Sequence, residues 1–186
     1  MKYISIGAVM SEGTEYRVTV CRGMNKFTLT GDHAVIWLNG RLGFADTKKP
    51  TEDQALEYLI RIGLAIKTSD YAIAEYRTLT QCTIVPAERK YPFLGLSGTE
   101  KAVLQWLREA GLVLSMAELV YLIDRNVPLE SKYLGSSNTQ NLVERIYTRD
   151  TIFDNILENQ MERAAMREKT VNTVLSLLRK KRIVLL

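Results

Sequence analysis

The chain has 186 residues, 46% of them hydrophobic and 25% charged, with a formal net charge of +4 and an isoelectric point near 9.0. This composition argues against a disordered chain, and without a run of about 18 apolar residues it argues against a membrane-spanning helix. The mild positive charge permits a polyanion partner without demanding one.

The opening stretch from Met1 is short, alternating and quickly polar, and it lacks the apolar core of a signal peptide. Residues 2–10 and 15–22 run apolar or alternate around Ser11-Glu12-Gly13-Thr14, which predicts a β-hairpin, with Phe27-Thr28-Leu29 as a third short strand. Thr30-Gly31-Asp32 offers N-cap chemistry for a helix running to about Asn39, where Gly40 and Gly43 punctuate it. Pro50-Thr51-Glu52-Asp53 reads as a second helix start, with proline in the first turn and acids at the positive end of the dipole. Ala55, Leu56, Leu59, Ile60 and Ile62 form that helix's apolar side, and Gly63 ends it. From Leu64 to Ala87, β-branched and aromatic residues around Thr68-Ser69-Asp70 predict a hairpin, with a further strand before Pro86. Glu88 to Pro92 reads as a linker.

The second half reads as more helical. Ser97-Gly98-Thr99-Glu100 starts a helix that ends at Gly111, and Leu112 to Leu114 form a short strand. Ser115 and Glu118 have capping-box spacing and open a helix through Asn126. After a loop from Val127 to Gly135, Ser137-Asn138 cap a helix to about Tyr147. A long helical stretch covers roughly 150–181, and "RIVLL" closes the chain as a strand.

Two phrases repeat. "LTGDHAVIWLNGRLG" begins at Leu29 and "LSGTEKAVLQWLREAG" at Leu96. "AVIWL" and "AVLQWL" differ by one residue, which turns the later positions by about 100° on a helix, so Trp37 and Trp106 need not be equivalent. Both halves also carry a helix running straight into a strand, "YLIRIGLAI" and "LLRKKRIVLL". On these residues the chain resembles a tandem winged-helix protein of the helix-turn-helix superfamily, over most of residues 27–86 and 96–186. The resemblance implies an α+β, mainly helical chain of two small winged-helix-like domains with a long C-terminal helical stretch. Residues 1–90 would hold a β-hairpin and one such domain, and residues 91–186 a second, helical one with a dimerisation helix.

Catalytic chemistry is sparse. His33 is the only histidine, there is no HExxH, no P-loop and no GxGxxG, and the acids are scattered. The chain therefore reads as non-enzymatic, with no cofactor and no metal site. Cys21 and Cys82 lack CxxC spacing and read as reduced, buried thiols of a cytoplasmic protein.

Basic residues carry the leading functional expectation. Between Arg163 and Arg182 stand seven cations against one acid, Glu168. Lys169, Arg179, Lys180, Lys181 and Arg182 would neutralise phosphates, while Asn172 and Thr173 would test base edges. A second candidate reader is "GSSNTQNLVERIYTR", where Asn138 and Gln140 crowd a helix start and Arg145 comes next. In the first half, the corresponding helix carries Glu52, Asp53 and Glu57, so that domain is expected to serve packing or a protein partner instead. Leu157, Met161, Ala164, Glu168, Val171, Leu175 and Leu178 have the 4, 3 rhythm of a coiled-coil seam, interrupted at Glu168, which predicts a homodimer.

The expectation is thus a cytoplasmic, dimeric protein that binds double-stranded DNA as a transcriptional regulator. A rival from another class is a non-enzymatic interaction scaffold. In size and plan the chain is similar to segregation and condensation protein B, a family that grips a partner protein. Its N-terminal strands before a small helical domain also resemble PqqD-like peptide chaperones, which bind a leader peptide by adding a strand to an open sheet edge. Charge placement separates the two readings. A DNA reader keeps its cations on one exposed face, whereas cations turned toward acids favour the scaffold.

Overall fold

The computed structural model of the protein describes residues 1–14, 16–69, 73–88, 90–108, 116–124 and 164–186. Its first departure from the sequence pattern comes at Gly7. That residue has φ +116, and a Cβ there would lie 2.5 Å from Cγ1 of Val20, so only glycine fits. The N-terminal stretch therefore splits into β1 (Lys2–Ser5) and β2 (Ala8–Thr14). β2 continues into a meander with β3 (Arg17–Arg22) and β4 (Asn25–Thr30), so a hairpin and a third strand are present, but residues 11–14, expected as the hairpin loop, belong to β2 and pair with β3. β1 leaves that sheet. It becomes the central strand of another, pairing antiparallel with β5 (Ala45–Asp46) on one side and β6 (Ala65–Lys67) on the other.

Between these strands lie α1 (Gly31–Gly40) and α2 (Pro50–Arg61). Thr30 takes the extended N-cap conformation of α1, but its side chain makes no capping bond. α2 starts as its sequence predicts: Pro50 sits in the first turn, and Glu52 reaches back to accept from the Lys48 amide at 2.6 Å. Ala55, Leu56 and Leu59 are buried. Both helices pack on the Tyr3 side of β1, where the Tyr3 hydroxyl donates to the Ile36 carbonyl at 2.8 Å. Nearby, Trp37 Nε1 donates to the Ile6 carbonyl at 3.0 Å.

After β6 the expected hairpin gives way to a short helix, α3 (Ala74–Leu79), followed by β7 (Ile84–Pro86). Ala74, Glu75, Arg77 and Leu79 are good helix formers, and burial of Ala74, Tyr76, Thr78 and Leu79 holds a helix too short to be stable alone. α4 (Gly98–Arg108) begins with a complete capping box. The Glu100 amide donates to Ser97 Oγ at 3.3 Å, and the Ser97 amide donates to Glu100 Oε2 at 2.6 Å. α5 (Met116–Asp124) and α6 (Ala164–Arg179) come next, and β8 (Ile183–Leu185) pairs antiparallel with β7.

β1 separates two cores because its side chains alternate between faces. Tyr3 joins Leu29, Trp37, Leu56 and Leu59, while Ile4 and Ile6 join Leu79, Leu104, Trp106, Leu178 and Leu185. Trp37 and Trp106 are both buried, but in different clusters. The pairing of β7 with β8, and the sharing of Ile4 and Ile6 with the second core, both cross the expected boundary between residues 90 and 91.

The expectation of a mainly helical chain of winged-helix-like domains is overturned. Among the described residues, eight strands in three sheets stand beside six helices, seven of the strands before residue 90 and one at 183–185. The protein is α+β. Several of the strands span only two or three residues and pair across long stretches of chain, so they leave little periodic signal in the sequence. Among the described residues, no helix is long and apolar enough to cross a membrane.

Candidate functional site

The predicted basic site ends on α6, and its members have separate fates. Lys169, Asn172 and Arg179 are exposed on the helix, whereas Thr173 is buried and its hydroxyl donates to the Lys169 carbonyl at 2.8 Å. Lys180 turns to Glu100, its Nζ 2.7 and 2.8 Å from the two carboxylate oxygens. The Ser176 hydroxyl donates to the same carboxylate at 2.6 Å. Glu100 is only 4% exposed. Burial alone would raise its pKa, but donation from Lys180, Ser176 and Ser97 outweighs that and holds the carboxyl down to about 2. Arg182 lies along the 91–94 segment, its two terminal nitrogens each donating at 2.9 Å to the carbonyls of Tyr91 and Leu94. Lys181 takes a left-handed conformation at φ 54.

Lys180 and Arg182 therefore both hold partners within the chain, one of them an acid, although Lys180 itself stays exposed. The open groove beside them holds Glu168 and Glu100 as well as Lys169 and Lys180, so it does not concentrate positive potential. Ser176 is no activated nucleophile in this arrangement, because its partner carboxylate is far too weak a base at neutral pH.

Of the other sequence-predicted residues, Asn138, Gln140, Arg145, Leu157 and Met161 lie outside the described residues, and Ala164 opens α6. Val171, Leu175 and Leu178 are buried in the second core, so these members of the 4, 3 stripe pack against the chain itself. His33 meets the Tyr58 ring edge-on, with centroids 4.7 Å apart, in a contact between α1 and α2. Cys82 is buried with its Sγ 3.6 Å from the Thr78 carbonyl oxygen. Burial pushes its thiol up to about 12 against a smaller opposing pull from Arg22.

The structure adds a site that the sequence pattern does not reveal. A cleft of about 560 Å³ opens between the start of β2, the end of α1 and the β7–β8 pair. The Gly7 amide donates to the Leu185 carbonyl at 2.8 Å and closes the gap between the two edges at one point. On its inner side β8 is paired: Thr83 and Leu186 exchange two bonds of 2.8 Å, and the Ala87 amide donates to Arg182. By antiparallel alternation, the backbone groups of Ile183 and Leu185 point outward. Among the described residues β2 has β3 as its one sheet neighbour, and Ala8 and Val9 line the same cleft as Ile183 and Leu185. Two strand edges thus face one space.

The walls of that space mix apolar and polar groups. Trp37 and Leu178 line it, as do Arg41, Lys181 and Glu88. Ser5 lines it too, 4% exposed, with an Oγ that meets no hydrogen-bond partner. In the sequence, the one local hint of this site is Gly7, since which edges stay open depends on pairings between residues far apart. Comparison of the chain with protein-family models, with curated proteins and with solved structures finds no match to any of them.

Proposed function

We propose that the protein is a non-enzymatic interaction module that captures an extended segment of a partner protein by strand addition in this cleft. The observation that carries the reading is the pair of strand edges, β2 and β8, lining one space. An open edge presents unpaired N–H and C=O groups, which an incoming strand satisfies while its alternate side chains enter pockets. One added strand would bridge the β4-β3-β2 sheet to β8-β7. The cleft is recessed, which shelters these edges from indiscriminate pairing. The pairing of Lys180 with Glu100 supports a scaffold over a DNA reader, and two free cysteines fit a cytoplasmic setting.

The test is selection of binding peptides from a random display library, followed by amide hydrogen exchange on the complex. Selected peptides should alternate apolar and polar residues, should slow exchange at Ile183, Leu185 and Val9, and should lose binding to the Ala87→Trp variant, which narrows the cleft. Recovery of peptides that protect a different surface contradicts the reading.

A second reading, contact with duplex DNA, is favoured by one feature: Lys169, Asn172 and Arg179 are all exposed along α6. Fluorescence anisotropy with random-sequence duplex tests it. A protein making six or more phosphate contacts should bind at low salt and weaken roughly a thousandfold between ~50 and ~200 mM. No binding at low salt ends that reading.

A further inference from the structure

We propose that the captured segment carries a flank of acidic and apolar residues, and that this flank docks outside the cleft on the exposed turn at Tyr91 and Leu94, beside Lys90. The inference rests on strand capture as the function and specifies what the partner carries beyond the strand.

Exposure supplies the first argument. Tyr91 is 64% and Leu94 73% exposed, three residues apart on one turn. Single apolar side chains at a surface are ordinary, but these two stand close together. One guanidinium, that of Arg182, reaches the carbonyls of both at 2.9 Å. Those bonds and the packing of Phe93 against the second core fix the turn while its two large side chains remain in water. A partner therefore meets an apolar surface with little left to order. Tyrosine in such a position is a frequent anchor of protein interfaces.

Position supplies the second argument. Ala87 and Glu88 line the cleft and lead into this segment, and the Ala87 amide donates to the Arg182 carbonyl at 2.8 Å. The Gly7–Leu185 bond sits at the other end of β8. A strand captured along β8 thus leaves the cleft past Ile183, the neighbour of Arg182, and comes to the turn within a few residues.

Charge supplies the third argument. Residues 87–94 carry one acid, Glu88, against Arg89 and Lys90. Arg108 and Arg182 donate to the carbonyls of Ala87, Tyr91 and Leu94 and need not touch the partner, yet a carbonyl does not cancel their charge. Lys90 is exposed, with its ammonium 5.6 Å from the centroid of the Tyr91 ring. An acid beside an apolar residue would meet both at once.

The probes are end-blocked hexapeptide mixtures drawn from Val, Ile, Leu, Phe, Thr and Ser, alone or extended by four residues at either end. The extension is Asp-Leu-Glu-Phe, Lys-Leu-Lys-Phe or Ser-Gly-Ser-Gly. Each is titrated into the full chain while the backbone amide NMR signals of Ile183, Leu185 and Leu94 are followed. At one of the two ends, the acidic extension should tighten binding at least about tenfold over Ser-Gly and should shift Leu94. The double variant Tyr91→Ser, Leu94→Ser should abolish that gain, bind the unextended mixture as before and keep the wild-type melting temperature, since both side chains are exposed. Lys90→Glu should narrow the gap between the acidic and the lysine extensions.

Equal binding of the acidic and Ser-Gly extensions, with Ile183 and Leu185 responding, overturns the flank proposal and leaves strand capture standing. A lysine extension that matches the acidic one, an acidic preference untouched by Lys90→Glu, or a gain that survives in the double variant overturns it equally. If no mixture perturbs Ile183 and Leu185, strand capture fails and this proposal with it. Should the double variant not fold, the contrast between extensions on the wild-type chain still decides.

Discussion

Gly63 and Lys181 occupy the same place in two copies of one helix stop. After α2, Gly63 takes φ +75; its amide donates to Ile60 at 3.0 Å and the Leu64 amide to Leu59 at 2.8 Å. After α6, Lys181 takes φ 54; its amide donates to Leu178 at 2.8 Å and the Arg182 amide to Leu177 at 2.9 Å. Both are Schellman motifs, and each delivers the chain two residues later into a strand, β6 or β8. The two positions differ in their surroundings. At Gly63 the space a Cβ would take is filled by the Arg22 guanidinium, which also donates to the Gly63 carbonyl.

The pair sets up opposite substitutions. A left-handed residue with a side chain costs roughly 1–2 kcal/mol, and glycine gives back roughly 0.5–1 kcal/mol through its freer unfolded chain. Lys181→Gly should therefore raise stability by about 0.5–1 kcal/mol. Gly63→Ala should lower it by more than about 1 kcal/mol, since Arg22 must also move. Urea midpoints at constant m value measure both. A Lys181→Gly midpoint below that of the wild type contradicts this account of the stop.

Glu100 predicts an acid limb in the stability profile. Its folded pKa of about 2 lies below its ordinary 4.5, so its contribution is present above about pH 4.5 and is lost as pH falls toward 2. The wild-type urea midpoint should drop across that window, and Glu100→Gln should flatten this part of the curve. At neutral pH the same variant should cost roughly 2 kcal/mol, because the hydrogen bonds from Lys180, Ser176 and Ser97 lose their charged acceptor. An acid limb unchanged in Glu100→Gln assigns that limb to other carboxylates.

The buried stripe on α6 makes a claim about concentration. Leu178 is 2% exposed and packs within the chain, so Leu178→Ala should cost about 2–5 kcal/mol in any oligomeric state. If Val171, Leu175 and Leu178 act only within one chain, that loss should stay constant over a hundredfold range of protein concentration. A loss that shrinks steadily on concentration would mean that these residues also form a seam between copies.

Cys82 should be chemically silent. With its thiol buried and pushed up to about 12, it carries almost no thiolate at pH 8 and is shielded from reagents. Titration with a chromogenic disulfide reagent should leave Cys82 unmodified in the native protein and release it on denaturation, with the site identified by mass spectrometry. Rapid native labelling of Cys82 would mean that this core opens readily.

The repeat that links Leu29 with Leu96 is informative at its ends and misleading in its middle. Both phrases begin just before a helix, and both tryptophans are buried, yet each belongs to a different core, as the one-residue offset foreshadows. The cationic run from Arg179 to Arg182 is legible as charge and illegible as geometry. Nothing near Lys180 in the sequence indicates that Glu100 will hold it, and nothing near Arg182 points to the carbonyls of Tyr91 and Leu94.

Features that neighbours within a turn or two can decide are legible along the chain. Pro50 opening α2, the Ser97–Glu100 box opening α4, the apolar face of α2 and the stop at Gly63 arise from bonds and contacts of short range. Tertiary structure decided which sheet β1 joins, whether residues 74–79 coil into a helix, who satisfies each cation, and which strand edges remain open. Those outcomes depend on groups brought together from distant parts of the chain. The cleft beside the Gly7–Leu185 bond exists because, among the described residues, pairing of β7 with β8 and of β2 with β3 leaves the rest of one edge of each pair without a strand neighbour, and no local pattern of hydrophobicity records an edge.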